Sequence, residues 1–192
     1  MPEPERDPGV PASGKLAFAA FRNDSPLGRH ALTFRRDGDR LDVEIDVEYV
    51  LKLGFLTLYR YALRGRETLV GGQLAGAQFR ADDNGKRAHL NVSRIDDGLL
   101  IEGSAGRPFR APADWRLATH WSRRQLDAPM ISPQDGAVLR YEVGAADVPG
   151  GQRRYRLDGA QPLELWYDAA EVWVGLRARV FDGSRVEYRR TA

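Results

Sequence analysis

The chain has 192 residues, 42% of them apolar, and 29 basic against 27 acidic side chains leave a formal charge of +2. That length and apolar fraction suffice for one domain with a buried core, and no run of about 18 apolar residues is present to cross a membrane as a helix. The absence of cysteine excludes disulfides, thiolate nucleophiles and zinc-cysteine sites, while the interspersed charge forms no basic tract for nucleic acid.

Residues 1–14 carry four prolines and few large apolar groups, so a mobile arm is expected there, followed by one domain over residues 15–192. The opening stretch has neither the basic start nor the apolar run of a signal peptide, and none is expected within it. Residues 41–49 give the clearest strand. Leu41, Val43, Ile45, Val47 and Tyr49 alternate with Asp42, Glu44, Asp46 and Glu48, one face apolar and the other acidic. Residues 30–36 alternate more weakly, and Asp37-Gly38 joins the two as a hairpin, since such turns need the positive φ that Asn, Asp and Gly adopt at least cost. Asn84-Gly85, Asp97-Gly98, Asp135-Gly136, Asp158-Gly159 and Asp182-Gly183 mark further turns.

Residues 55–63 are large on both faces, which suits a strand covered on both sides, with a helix as the rival reading. Residues 73–80, 87–93 and 99–101 form a meander. Residues 109–133 lose the period of two and contain Pro112, Pro129, Pro133, Trp115 and Trp121; a crossing segment or lid with up to two turns of helix is expected. Strands resume at 138–143, 152–157, 162–167, 172–181 and 185–190. The sum is an all-β domain of about ten mostly antiparallel strands in a barrel or strongly curved sheet, with the crossing segment over one end or inside the concave face.

No catalytic or metal motif stands out. His30, His89 and His120 lie on separate segments without the spacing of a metal pair, and neither a nucleophile elbow nor a phosphate loop is present. The acidic row of residues 42–48 stands along a strand rather than around an ion and is expected to pair with arginines opposite. Arg66-Glu67 is expected as an exposed ion pair, with a Glu67 drawn inward to an arginine as the alternative. For the aromatics of residues 165–173, core packing is expected ahead of a binding wall.

A curved sheet of this size encloses a space that side chains fill or leave to one small ligand. The expected function is therefore to bind or carry an apolar or amphipathic, lipid-like molecule. Phe55, Tyr59, Tyr61, Trp115, Trp121 and Trp166 are the expected wall, with Arg66 and His120 as polar contacts. No cofactor, metal or nucleic-acid partner is expected, and no protein partner is indicated. A barrel enzyme (isomerase, cyclase or hydrolase) using His120, and a filled-core structural or interaction module, stand as alternatives.

The stretches Pro26-Leu27-Gly28, Tyr59-Arg60-Tyr61 leading to Arg66-Glu67, Asp83-Asn84-Gly85-Lys86 and Thr119-His120-Trp121 recur in a familiar order. With Leu165-Trp166-Tyr167-Asp168, Phe181-Asp182-Gly183-Ser184 and Glu187-Tyr188 added, the chain resembles the uncharacterised bacterial domain-of-unknown-function family 6134. The resemblance spans nearly the whole folded region. It implies an exported, periplasmic protein whose sheet is similar to lipocalin-type and lipoprotein-carrier-type sheets that hold lipids.

Overall fold

The computed structural model describes residues 8–192, in which the period-two patterning becomes sixteen strands. They are β1 (Lys15–Arg22), β2 (Ser25–Asp37), β3 (Arg40–Leu53), β4 (Leu56–Val70), β5 (Gln73–Asp83), β6 (Lys86–Ile95), β7 (Gly98–Gly103) and β8 (Phe109–Pro112). After them come β9 (Arg116–Leu117), β10 (Met130–Ile131), β11 (Val138–Leu139), β12 (Glu142–Val148), β13 (Gln152–Asp158), β14 (Leu163–Tyr167), β15 (Trp173–Arg179) and β16 (Arg185–Arg190). Thirteen form one sheet in the order β12-β13-β14-β15-β16-β1-β2-β3-β4-β5-β6-β7-β8, every neighbouring pair antiparallel.

The end strands β12 and β8 do not pair with each other, so the sheet is open. It is nevertheless strongly curled. Leu157 of β13 and Leu63 of β4 line the same cavity, although seven strand spacings, about 34 Å in a flat sheet, lie between them. All six Asp-Gly and Asn-Gly pairs fall at strand connections, including Asp135-Gly136 between β10 and β11.

Alternation decides which side chains enter the concave face. On β3, Leu41, Val43, Ile45 and Val47 are buried, while the acids point outward to arginines, Asp42 to Arg40 of its own strand and Glu44, Asp46 and Glu48 to neighbouring strands. Arg35 meets Glu44 at 3.2 Å, Arg64 meets Asp46 at 3.2 Å and Arg29 meets Glu48 at 3.4 Å. Exposed pairs of this kind contribute under about 1 kcal/mol each, so the inward apolar row carries the stability of β3.

Residues 113–141 connect the two edge strands and pack inside the concave face. The Trp121 ring stands 5.4 Å from Phe34 of β2, and Leu117, Met130 and Ile131 are buried in a three-stranded sheet of β9, β10 and β11. The helix expected in this segment is a single turn of 3-10 helix, Arg123–Asp127. It stops because Ala128, ahead of Pro129, is held extended. The strand expected over 138–143 is split into β11 and β12, and the count of about ten becomes sixteen through that split, through β8, β9 and β10 of the crossing segment, and through β1, which was not among the expected strands. Of the arm expected over residues 1–14, residues 1–7 lie outside the described residues. Residues 8–14 lie on the domain: Val10 packs against the core, Pro11 is buried and the Phe34 N–H donates to the Gly14 carbonyl at 2.9 Å.

Candidate functional site

His30 shares the inward parity of Leu32 and Phe34 on β2, and so carries an imidazole into the interior of the curled sheet. Its ring is 4% exposed and stands edge-on to Trp173 at 5.2 Å and to Tyr188 at 5.5 Å. Neither ring nitrogen has a hydrogen-bond partner among the described residues. Burial, followed by the nearby His120, lowers its pKa to about 3, so the ring is neutral at pH 7 with one unsatisfied donor and one unsatisfied acceptor.

His120 arrives from the crossing segment and faces the same space, its ring 5.6 Å from Trp173. The backbone there is left-handed, at φ +69, an arrangement a non-glycine residue keeps only when its surroundings hold it. Buried Gln125 accepts from the His120 N–H at 3.0 Å, and the buried Tyr167 hydroxyl donates to its carbonyl at 2.7 Å. Its Nδ1 is likewise buried without a partner among the described residues, and burial lowers its pKa to about 4.

The two imidazoles line a cavity of about 280 Å³ whose apolar wall includes Ile45, Val47, Leu63, Leu157 and Leu163. The Tyr61 hydroxyl donates to the Gln134 side chain at 3.1 Å at its border. Tyr49 and Tyr188 hydrogen-bond through their hydroxyls and line both this cavity and a second, more apolar one of about 590 Å³. Leu27, Leu51, Tyr59, Ala178 and Val186 contribute to that second chamber. The tyrosine pair is thus the partition between them.

Deeper in the same face, Glu67 is 2% exposed and accepts hydrogen bonds from the Trp121 indole and, at 2.9 Å, from the Thr119 hydroxyl. Burial raises its pKa to about 7 against these two hydrogen bonds and the positive charge of Arg116. Glu67 ties β4 to the crossing segment on either side of His120 and lines neither chamber. Among the described residues, no three His, Asp or Glu side chains converge to hold a metal ion.

The family model of a domain of unknown function, DUF6134, matches residues 18–191. The chain belongs to this family. A crystal structure of a beta-barrel-like protein of domain of unknown function DUF1849 from Brucella abortus has the same fold, at a TM-score of 0.59 and 7% identity over 92% of this chain and 95% of that one. At that identity the likeness speaks for fold alone. The chain matches no curated protein.

Within the DUF6134 domain, the residues expected to form a binding wall scatter. Tyr61 and His120 line the smaller chamber and Tyr59 the larger one. Trp121 is inward but serves as core, bound to Glu67. Trp115 is half-buried against the core with the Arg140 guanidinium 5.9 Å above its ring, outside both chambers. Phe55 is fully exposed at the tip of the β3–β4 hairpin, where the sheet has no interior. Trp166 points outward between inward Leu165 and Tyr167, with Arg177 stacked 5.5 Å from its ring centre. Arg66 is likewise outward on β4, and its neighbour Glu67, expected in an exposed ion pair, is buried on hydrogen-bond donors instead of an arginine. His30, Tyr49 and Tyr188 were readable only as inward positions of alternating strands; a histidine in register with Leu32 and Phe34 was the available signal.

Proposed function

We propose that the domain binds one small amphipathic molecule in the interior of its curled sheet, with the ligand's polar group between His30 and His120. The observation that carries this reading is the pair of imidazoles that line one cavity, with both ring nitrogens of His30 and the Nδ1 of His120 buried without partners among the described residues. A buried donor or acceptor left unmade costs about 1–3 kcal/mol, and a ligand hydroxyl or amide recovers that cost by both donating and accepting. Because both rings are neutral at pH 7, they suit a neutral polar group better than an anion. The surrounding leucines and valines take the apolar part.

Native mass spectrometry of freshly purified protein, with organic extraction of what travels with it, tests this directly. A released amphiphile, or uptake of a medium-chain alcohol in preference to the matching alkane, is the expected result. A clean apo mass with no uptake of either would overturn it and leave the filled-core structural module. His30→Leu is expected to raise stability by about 1–3 kcal/mol in urea unfolding, by removing two unpaired polar atoms, while weakening alcohol uptake at least about 10-fold. A variant that is both less stable and equally competent to bind would contradict the assignment.

A further inference from the structure

The β3–β4 hairpin outruns the sheet that supports it. β2 pairs with β3 only as far as Tyr49, and β5 pairs with β4 only from Tyr61. Residues 50–60 therefore form a two-stranded ribbon with no third strand on either side among the described residues, held at its base where the Arg60 carbonyl accepts from the Asn84 N–H at 2.8 Å and reaching about 13 Å past the sheet. Two-stranded ribbons are marginal in water unless a face is covered. This one instead exposes Leu53, Phe55, Leu56 and Leu58, at 69%, 102%, 55% and 48%. Such a contiguous patch marks an interaction surface.

Two further observations indicate what covers it. The ribbon's charge is of one sign: Lys52 and Arg60 are exposed, no acid lies between residues 50 and 60, and neither cation is in an ion pair among the described residues. The ribbon also borders the mouth of the larger chamber, which is lined by Leu51 and Tyr59 at its base and by Val180 and the fully exposed Phe181 on the β15–β16 turn opposite. Apolar tips ahead of unpaired cations are the arrangement of an interfacial anchor, in which side chains enter the acyl boundary by roughly 5–10 Å and the cations rest among anionic headgroups. Lys52 stands one ladder position behind the last pair, Leu53–Leu56, and Arg60, opposite Val50, stands three positions behind it, so the two cations lie about 3 and about 10 Å back along the ribbon, a range that spans that depth.

We propose that the ribbon, with Phe181, docks the domain on an anionic lipid bilayer so that the mouth of the 590 Å³ chamber opens onto the lipid surface. Docking goes beyond ligand binding and is measured separately from it. The full chain is sedimented with vesicles of mixed phosphatidylglycerol and phosphatidylcholine, and with vesicles of phosphatidylcholine alone. Binding to the anionic vesicles at least about 10-fold tighter than to the neutral ones is expected, falling with salt. The double variant Phe55→Ser with Phe181→Ser weakens it at least about 10-fold, and Lys52→Gln with Arg60→Gln removes most of the preference for anionic lipid. These side chains are exposed, so an unchanged thermal melt shows that each variant is folded. Absence of sedimentation, equal binding to both vesicles, or undiminished binding by the tip variant would overturn the proposal. Tip-dependent dimerisation in light scattering without vesicle binding would overturn it too, assigning the ribbon to a second copy of the chain. Alcohol uptake by the same variants in vesicle-free buffer is expected to stay unchanged, so a failure of docking leaves the His30 reading standing.

Discussion

Gly65→Val is expected to destabilise the fold by more than about 3 kcal/mol, read as a fall in the urea midpoint, whereas Gly144→Ala stays within about 0.5 kcal/mol of the parent. Gly65 lies on β4 between Ile45 of β3 and Phe79 of β5, at an inward position. The buried Phe79 ring lies against the space a side chain would need. A Cβ at residue 65 would sit 2.3 Å from the Gln78 carbonyl oxygen and 2.3 Å from the Phe79 ring. The first of these contacts is with backbone, which yields only if the β4–β5 ladder moves. The aromatic side chain covering the glycine replaces the packing that a Cβ would have supplied, and the missing Cβ allows the close approach. Gly144 lies on the exposed edge strand β12, where an added Cβ would meet nothing within 4 Å and φ is not positive, so it reports the generic effect of adding a methyl. Equal midpoints for the two variants would show that the close approach on β4 constrains nothing.

The all-β class was legible because its signals are local. A turn dipeptide such as Asn84-Gly85 and the alternation from Leu41 to Tyr49 depend only on residues adjacent in sequence. Parity alone also places Trp166 outward, since it falls between Leu165 and Tyr167; the aromatic content of that strand invited a place in the interior wall that its register denies. Phe55 failed for a different reason. Periodicity shows which residues alternate but not where the neighbouring strands stop, and β2 and β5 stop short of the hairpin tip. The surroundings of Glu67 were beyond local reading altogether, because its partners Thr119 and Trp121 lie 52 and 54 residues away along the chain. The same holds for His120, whose left-handed backbone is imposed by Gln125 and by the more distant Tyr167.

Glu67→Gln is expected to stabilise the protein by on the order of 3 kcal/mol at pH 8 and to leave it nearly unchanged at pH 4.5. The folded pKa of Glu67 is raised from 4.5 to about 7, first by burial. Below pH 4.5 the carboxyl is protonated in folded and unfolded chains alike and contributes no difference. Between pH 4.5 and about 7 the unfolded chain releases the proton while the folded chain keeps it, so stability falls with rising pH by about 1.4 kcal/mol per unit. Glutamine offers the same acceptor oxygen to Trp121 and Thr119 and has no charge to form. The histidines act in the opposite sense. His30 and His120 have pKa values lowered to about 3 and about 4, so as the pH falls below 6.5 the unfolded chain gains protons that the folded chain refuses. Two such rings outweigh one carboxyl between pH 4.5 and 6.5, which sets the stability maximum of the parent at about pH 6.5. In the glutamine variant the decline above that pH disappears and the acid limb steepens. Urea unfolding across the pH range separates this outcome from a packing effect, which would move the whole curve in parallel.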